Sequence, residues 1–146
     1  MKLCCRLLAP FLLTLGLPST ALPVPDRPEP LEILEKAFRQ GRPEALWRIV
    51  GTDDKVYVTS SSLGLDAGYY SVDQLSLVMQ EVFRARATLS FNFLKAANPP
   101  PEFSRRVALA RWVYRKGRSR EQTAEIAFTL IRRKGGWYLK EIRDVP

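Results

Sequence analysis

The sequence predicts an α+β fold in which N-terminal helices pack on one face of a curved, mostly antiparallel sheet. Two observations predict it. Apart from a short alternating run at residues 54–60, apolar residues up to Arg86 recur at intervals of three and four; from Ala87 onward they alternate with polar ones. Glycines at 117 and 135–136 then divide the alternating half, so its last three strands should form an antiparallel meander.

Each element follows from its residues. "EPLEILEKAFRQG" places Leu31, Leu34, Ala37 and Phe38 on one face of a helix, with Gly41 as its stop. "RPEALWRIVG" predicts a short helix opened by Pro43, apolar on most sides through Leu46, Trp47, Ile49 and Val50 and therefore well buried. "DKVYVTS" alternates as a strand, and the loop "SSLGLDAGYY" follows, with a short returning strand at Tyr69–Tyr70. "YYSVDQLSLVMQEVFRA" carries the S-x-x-Q capping box at Ser71 and Gln74, then Val72, Leu75, Met79, Val82 and Phe83 on one stripe. In the alternating half, "ATLSFNFLK" puts Leu89, Phe91 and Phe93 together, followed by the proline-rich connection "ANPPPEFS". "RRVALARWVYRK" and "QTAEIAFTLIRR" are the long strands, and "WYLKEIR" sets Trp137 and Leu139 opposite Tyr138, Lys140 and Ile142.

The first residues belong to another function. Lys2 and Arg6 precede the apolar run "LLAPFLLTLGL", and Ser19 and Ala21 fit a small-x-small cleavage site, so residues 1–21 are expected to be a signal peptide. An uncleaved N-terminal anchor is the alternative. The run is too short and too interrupted by Pro10 to span a bilayer, which takes about 20 apolar residues. Residues 22–30 hold four prolines and read as an extended linker, leaving 31–146 as the domain. Both cysteines, Cys4 and Cys5, fall in the leader, so the mature chain should have no disulfide and no thiolate metal site. It also lacks an Asn-x-Ser/Thr acceptor, which together with the missing disulfides points to a bacterial envelope, secreted or periplasmic.

There is no histidine in the chain, which removes the commonest general base and metal ligand; no metal or other cofactor is expected. Residues 22–100 carry a net charge of −1 and residues 101–146 a net charge of +7, so the basic excess lies in the last third.

Taken together, "LEKAFRQGRPEALWRIV", "YYSVDQLSLVMQEVF" and "RRKGGWYLKEIR" resemble the nuclear transport factor 2-like, or cystatin-like, superfamily, and within it a small secreted bacterial family of unknown function. The resemblance spans roughly residues 31–143 and rests on packing patterns. It implies a cone-like roll. The superfamily includes dehydratases and ketosteroid isomerases, which use an Asp or an Asp–His pair inside the cone, beside many non-catalytic binding domains. This sequence departs from the enzymes in having no histidine.

Three readings stay open at this stage. A non-catalytic binding or accessory module would use a pocket for a small apolar ligand, lined by Trp47, Tyr57, Tyr69, Tyr70, Trp112 and Tyr114, unless these aromatics simply fill the core. It could also pair with a second copy through the sheet face carrying Ala108, Ala110, Trp112 and Tyr114. A small-molecule isomerase or dehydratase would use Glu125 or Asp53 as its base, with a tyrosine as donor. The plainer account pairs Glu125 across strands with Arg111, Arg115 or Lys140 and leaves Asp53 in a turn. A polyanion-binding envelope protein would use Arg105, Arg106, Arg132, Arg133 and Lys134, which a meander gathers at one end of the sheet; the rival reading is a set of solvated hairpin tips. Nucleic acid is a poor fit, since an exported protein seldom meets it and no recognition motif is present.

Overall fold

Helix α1 (Glu29–Gln40) buries Leu31, Ile33, Leu34, Ala37 and Phe38. It opens the part of the chain that the computed structural model describes, residues 29–95, 102–134 and 136–146. The expected signal peptide, most of the proline linker, residues 96–101 and Gly135 lie outside the described residues. The helix begins two residues before the domain start that the prolines suggest, because Glu29 and Pro30 suit a first turn, where no intrahelical N–H bond is needed.

A 3₁₀ helix (Pro43–Arg48) follows, then strands β1 (Lys55–Thr59) and β2 (Gly68–Ser71), helix α2 (Val72–Ala85), and strands β3 (Arg86–Lys95), β4 (Arg105–Lys116), β5 (Glu121–Arg133) and β6 (Gly136–Asp144). The capping box of α2 is complete: the Gln74 amide donates to Ser71 Oγ at 3.3 Å and the Ser71 amide to Gln74 Oε1 at 3.0 Å. Together the strands form one sheet in the order β2-β1-β6-β5-β4-β3. All neighbours are antiparallel except β1 and β6, which run parallel with Val58 opposite Ile142. The meander β4–β5–β6 is therefore as the alternation predicts, whereas the β1–β6 seam joins residues far apart in sequence and left no local sign.

Both helices cover one face of the sheet. Phe38 from α1 lies at the centre of that layer, stacked on Phe91 at 4.5 Å between ring centroids and meeting Trp112 and Phe128 edge-on at 5.5 and 5.7 Å. Trp112 is wholly buried and donates from Nε1 to Thr88 Oγ1 at 2.9 Å, so its one polar atom is satisfied.

Four expectations need correction. Trp47 is not buried: it is 58% exposed, because the 3₁₀ helix turns it outward, where Nε1 donates to Ser76 Oγ at 2.6 Å. Leu89 does not share a face with Phe91. A β-bulge between Thr88 and Ser90 inserts one residue and turns Leu89 to solvent. A second irregularity, where β5 pairs Thr129 with Glu141 and Leu130 with Leu139, brings Ile142 to the core beside Leu139 rather than opposite it. Finally, the face carrying Ala108, Ala110, Trp112 and Tyr114 is the one the helices cover, so it cannot meet a second copy. The open face carries Val107, Leu109, Arg111 and Val113.

Candidate functional site

The interior of the roll is filled by its own side chains. Phe38, Leu75, Met79, Phe91, Trp112 and Phe128 are all wholly buried between helices and sheet. Among the concavities that remain, one of about 400 Å³ lies between the 3₁₀ helix and α2 beside Trp47, Ser76 and Leu77, and two others lie at opposite ends of the strands.

One cleft, of about 510 Å³, opens where β5 turns into β6 and is lined by Gly51, Thr52, Asp53, Asp54, Arg133, Lys134 and Tyr138. Its centre is Asp54, which accepts from Arg133 at 2.5 Å and contacts Lys140 Nζ at 2.9 Å. Hydrogen bonds from these two cations hold the Asp54 carboxyl below its ordinary range. Gly51 makes room for it: a Cβ there would lie 2.6 Å from Asp54 Oδ2.

The other cleft, of about 670 Å³, lies at the opposite end, between the loop after β1 and the β4–β5 hairpin, and includes Ser61, Ser62, Tyr114, Lys116, Gln122 and Asp144. Here Asp144, at the end of β6, is cradled by a run of serines. It accepts from Ser60 Oγ at 2.5 Å, Ser61 Oγ at 2.9 Å and the Ser62 amide at 3.0 Å, and also from Ser62 Oγ. Partial burial pulls the Asp144 carboxyl upward, but these bonds together outweigh it and the net displacement is downward. Ser60 Oγ also accepts from the Leu63 amide at 3.2 Å, so the carboxylate fixes the whole loop. That loop sets Gly64 against Arg86. Gly64 has φ +69°, which favours glycine, and a Cβ on it would lie 2.4 Å from Arg86 Nη2, so the guanidinium would have to shift to admit a side chain.

The candidate residues named from sequence fall as follows. Glu125 sits on the sheet's open face and accepts from Arg111 at 2.9 Å, directly across the β4–β5 ladder. Asp53 is exposed in the turn before β1. Neither lies inside the roll. The six aromatics do not converge. Trp112 and Tyr114 stack at 4.2 Å within the core, Tyr57 and Tyr69 meet each other at 5.0 Å across the β1–β2 pair, Tyr70 donates to the Asp66 carbonyl at 2.6 Å, and Trp47 lies outside. The five basic residues do gather at one end, since Arg105 is registered with Ile131 and the Arg132 amide donates to the Ser104 carbonyl at 2.7 Å. They are not a uniform patch. Arg133 is bound to Asp54, Arg105 reaches Glu141 at 4.0 Å, Arg132 lies over the Trp137 ring at 4.7 Å, and Arg106 is buried. Burial draws the Arg106 guanidinium below its usual range.

Asp144, Ser60–Ser62 and Arg86 carry no local sequence signal that would bring them together. The serine run next to glycines was visible, but the carboxylate it holds lies 82–84 residues further on. Among the described residues, no group of three or more Asp, Glu, His or Cys side chains is placed to hold a metal ion, and no helix is long and apolar enough to cross a membrane.

Solved structures place this architecture. A protein with a ketosteroid isomerase-like fold from Catenulispora acidiphila, in complex with trimethylamine, is 13% identical with a TM-score of 0.62, over 82% of this chain and 85% of that one. A DUF4783 family protein from Bacteroides uniformis is 15% identical with a TM-score of 0.55, over 77% and 93%. Another from Bacteroides ovatus is 17% identical with a TM-score of 0.55, over 76% and 89%. The chain has the nuclear transport factor 2-like fold. At these identities the likeness concerns the fold alone. No protein-family model and no curated protein matches the sequence.

Proposed function

We propose that this nuclear transport factor 2-like domain is an exported, non-catalytic module that works as a homodimer joined through the open face of its sheet. The filled interior carries the reading. An enzyme of this fold would keep a cavity with a carboxylate inside, and here aromatic side chains occupy that space while Glu125 and Asp53 lie outside.

The open face supplies the docking surface. Val107 and Leu94 are 49% and 41% exposed, and half-buried Leu109, Val113 and Ile131 continue the apolar stripe. The pairs Arg111–Glu125 and Arg105–Glu141 place charges of both signs on that face. A two-fold interface needs self-complementarity, and such a face offers each arginine of one copy a glutamate of the other. Export is supported by the leader's charged, apolar and small-residue segments.

Sedimentation of residues 22–146 tests the pairing. A dimer is expected, with Val107→Glu shifting it to monomer while the circular dichroism spectrum stays unchanged. A wild-type monomer at about 100 μM, where a micromolar complex would be nearly saturated, would overturn the pairing. Mass spectrometry of protein from the cell envelope should find Leu22 as the first residue; intact Met1 confined to the cytoplasm would overturn export.

A further inference from the structure

Arg86 stands out as a buried cation with no carboxylate beside it among the described residues. The residue is only 8% exposed, and its Nε is buried without a hydrogen-bond partner. Its guanidinium instead lies between Gly64 and the Tyr114 ring, 5.9 Å from the ring centroid. A buried cation costs free energy unless it is paired or strongly hydrogen-bonded. The surroundings are nonetheless built to hold this one, because the Asp144–serine bonds fix the loop and Gly64 leaves the space that a side chain would fill.

Arg86 itself does not line the polar cleft, but two of its neighbours do. Tyr114 lines it, and so does Lys116, which is the ladder partner of Arg86 across β3–β4 and has no ion-pair partner among the described residues. We infer that Arg86 and Lys116 form an anion-binding subsite at the wall of this cleft, and that its ligand is a small polar molecule bearing one carboxylate.

Three features select that class. The Lys116 ammonium, which lines the cleft, can meet a carboxylate directly, and the Arg86 guanidinium behind the wall adds a second attraction. Asp144 and Glu125 line the same cleft, so a doubly charged phosphate meets more repulsion than a singly charged group. The remaining lining includes Ser61, Ser62, Gln122 and Thr123, which suits a hydroxylated body rather than an apolar one. The subsite is separate from the pairing surface around Val107 and does not depend on that pairing.

Titration of the isotope-labelled mature chain with sodium D-glucuronate, at constant ionic strength, tests the assignment by NMR. The expected result is saturable shifts of the Arg86 Nε–H and of the Gly64 and Lys116 amides. Lys116→Ala, an exposed change that leaves the core intact, should weaken binding about tenfold, and Arg86→Gln should abolish it. If Arg86→Gln does not fold, the Arg86 Nε–H signal and Lys116→Ala still decide. Affinity unchanged in Lys116→Ala, shifts confined to the 118–120 tip, or equal shifts from sodium chloride would overturn the subsite. Tighter binding of inorganic phosphate than of glucuronate would overturn the singly charged ligand. Monomeric Val107→Glu should bind glucuronate as the wild type does; loss of binding there would overturn the independence of the two surfaces.

Discussion

The two ends of the sheet use the same ingredients, arginines, lysines and one partly buried aspartate, in opposite ways. At the β5–β6 end, Asp54 sits between Arg133 and Lys140, Arg105 reaches Glu141, and Arg132 lies over Trp137, so positive charge is largely met on site. At the β4–β5 end, Asp144 is satisfied by hydroxyls and an amide, leaving Lys116, Arg118, Arg120 and Arg86 without an anionic partner among the described residues. Arg115, paired with Glu121 at 3.6 Å, is the exception there. Counting basic residues therefore says little about which end attracts an anion. The identity of the groups around each carboxylate decides it, because neutral donors satisfy a carboxylate without using up a cation.

The largest expected difference between the ends is in stability. Asp144→Ala leaves three serine hydroxyls and an amide without their acceptor and frees the 60–64 loop, so it should cost about 2–3 kcal/mol by denaturant unfolding. Asp54→Ala breaks half-exposed ion pairs and should cost about 1 kcal/mol or less. Equal losses would erase the contrast.

Acid should act on both carboxylates with the same sign. Each is held below its ordinary value of 3.8, so its contribution is fully present above that pH and disappears as the pH falls through the lower folded value. Salt should separate them. Raising ionic strength to about 1 M screens the Asp54 pairs but leaves the Asp144 hydrogen bonds, so the acid-sensitive step that remains should vanish in Asp144→Asn and persist in Asp54→Asn.

The smallest expected effect concerns binding of sulfated polyanions such as heparin. Arg118→Ser with Arg120→Ser should lower the eluting salt concentration more than Arg105→Ser with Arg133→Ser, since the second pair is already engaged. The reverse order would show that paired arginines exchange partners freely, and would restore the β5–β6 end as the working surface.

Local signals in the sequence were readable and distant ones were not. The capping box at Ser71, the α1 stripe and the β4–β5 alternation each depend on neighbours a few residues away, and each appears as the pattern dictates. The faces of Leu89 and Ile142 were misread because a bulge adds one residue without changing composition, and period-two reasoning has no means to detect it. At the candidate site, Lys116 closes the alternating run of β4 and carries no local sign of a site. Arg86 carries no local sign either, and its burial follows only from a loop fixed by Asp144 at the far end of the chain.

The parallel seam between β1 and β6 has a consequence for assembly. Residues 57–59 find their second neighbour only in residues 141–143, so β1 can form a hairpin with β2 early but stays an unsealed edge until the final strand emerges. Pairings of such long sequence separation form late and slowly. Until that pairing closes, one side of β1 presents unpaired backbone groups to any other strand, so the rate of this single long-range step sets how long the folding chain is exposed to wrong association.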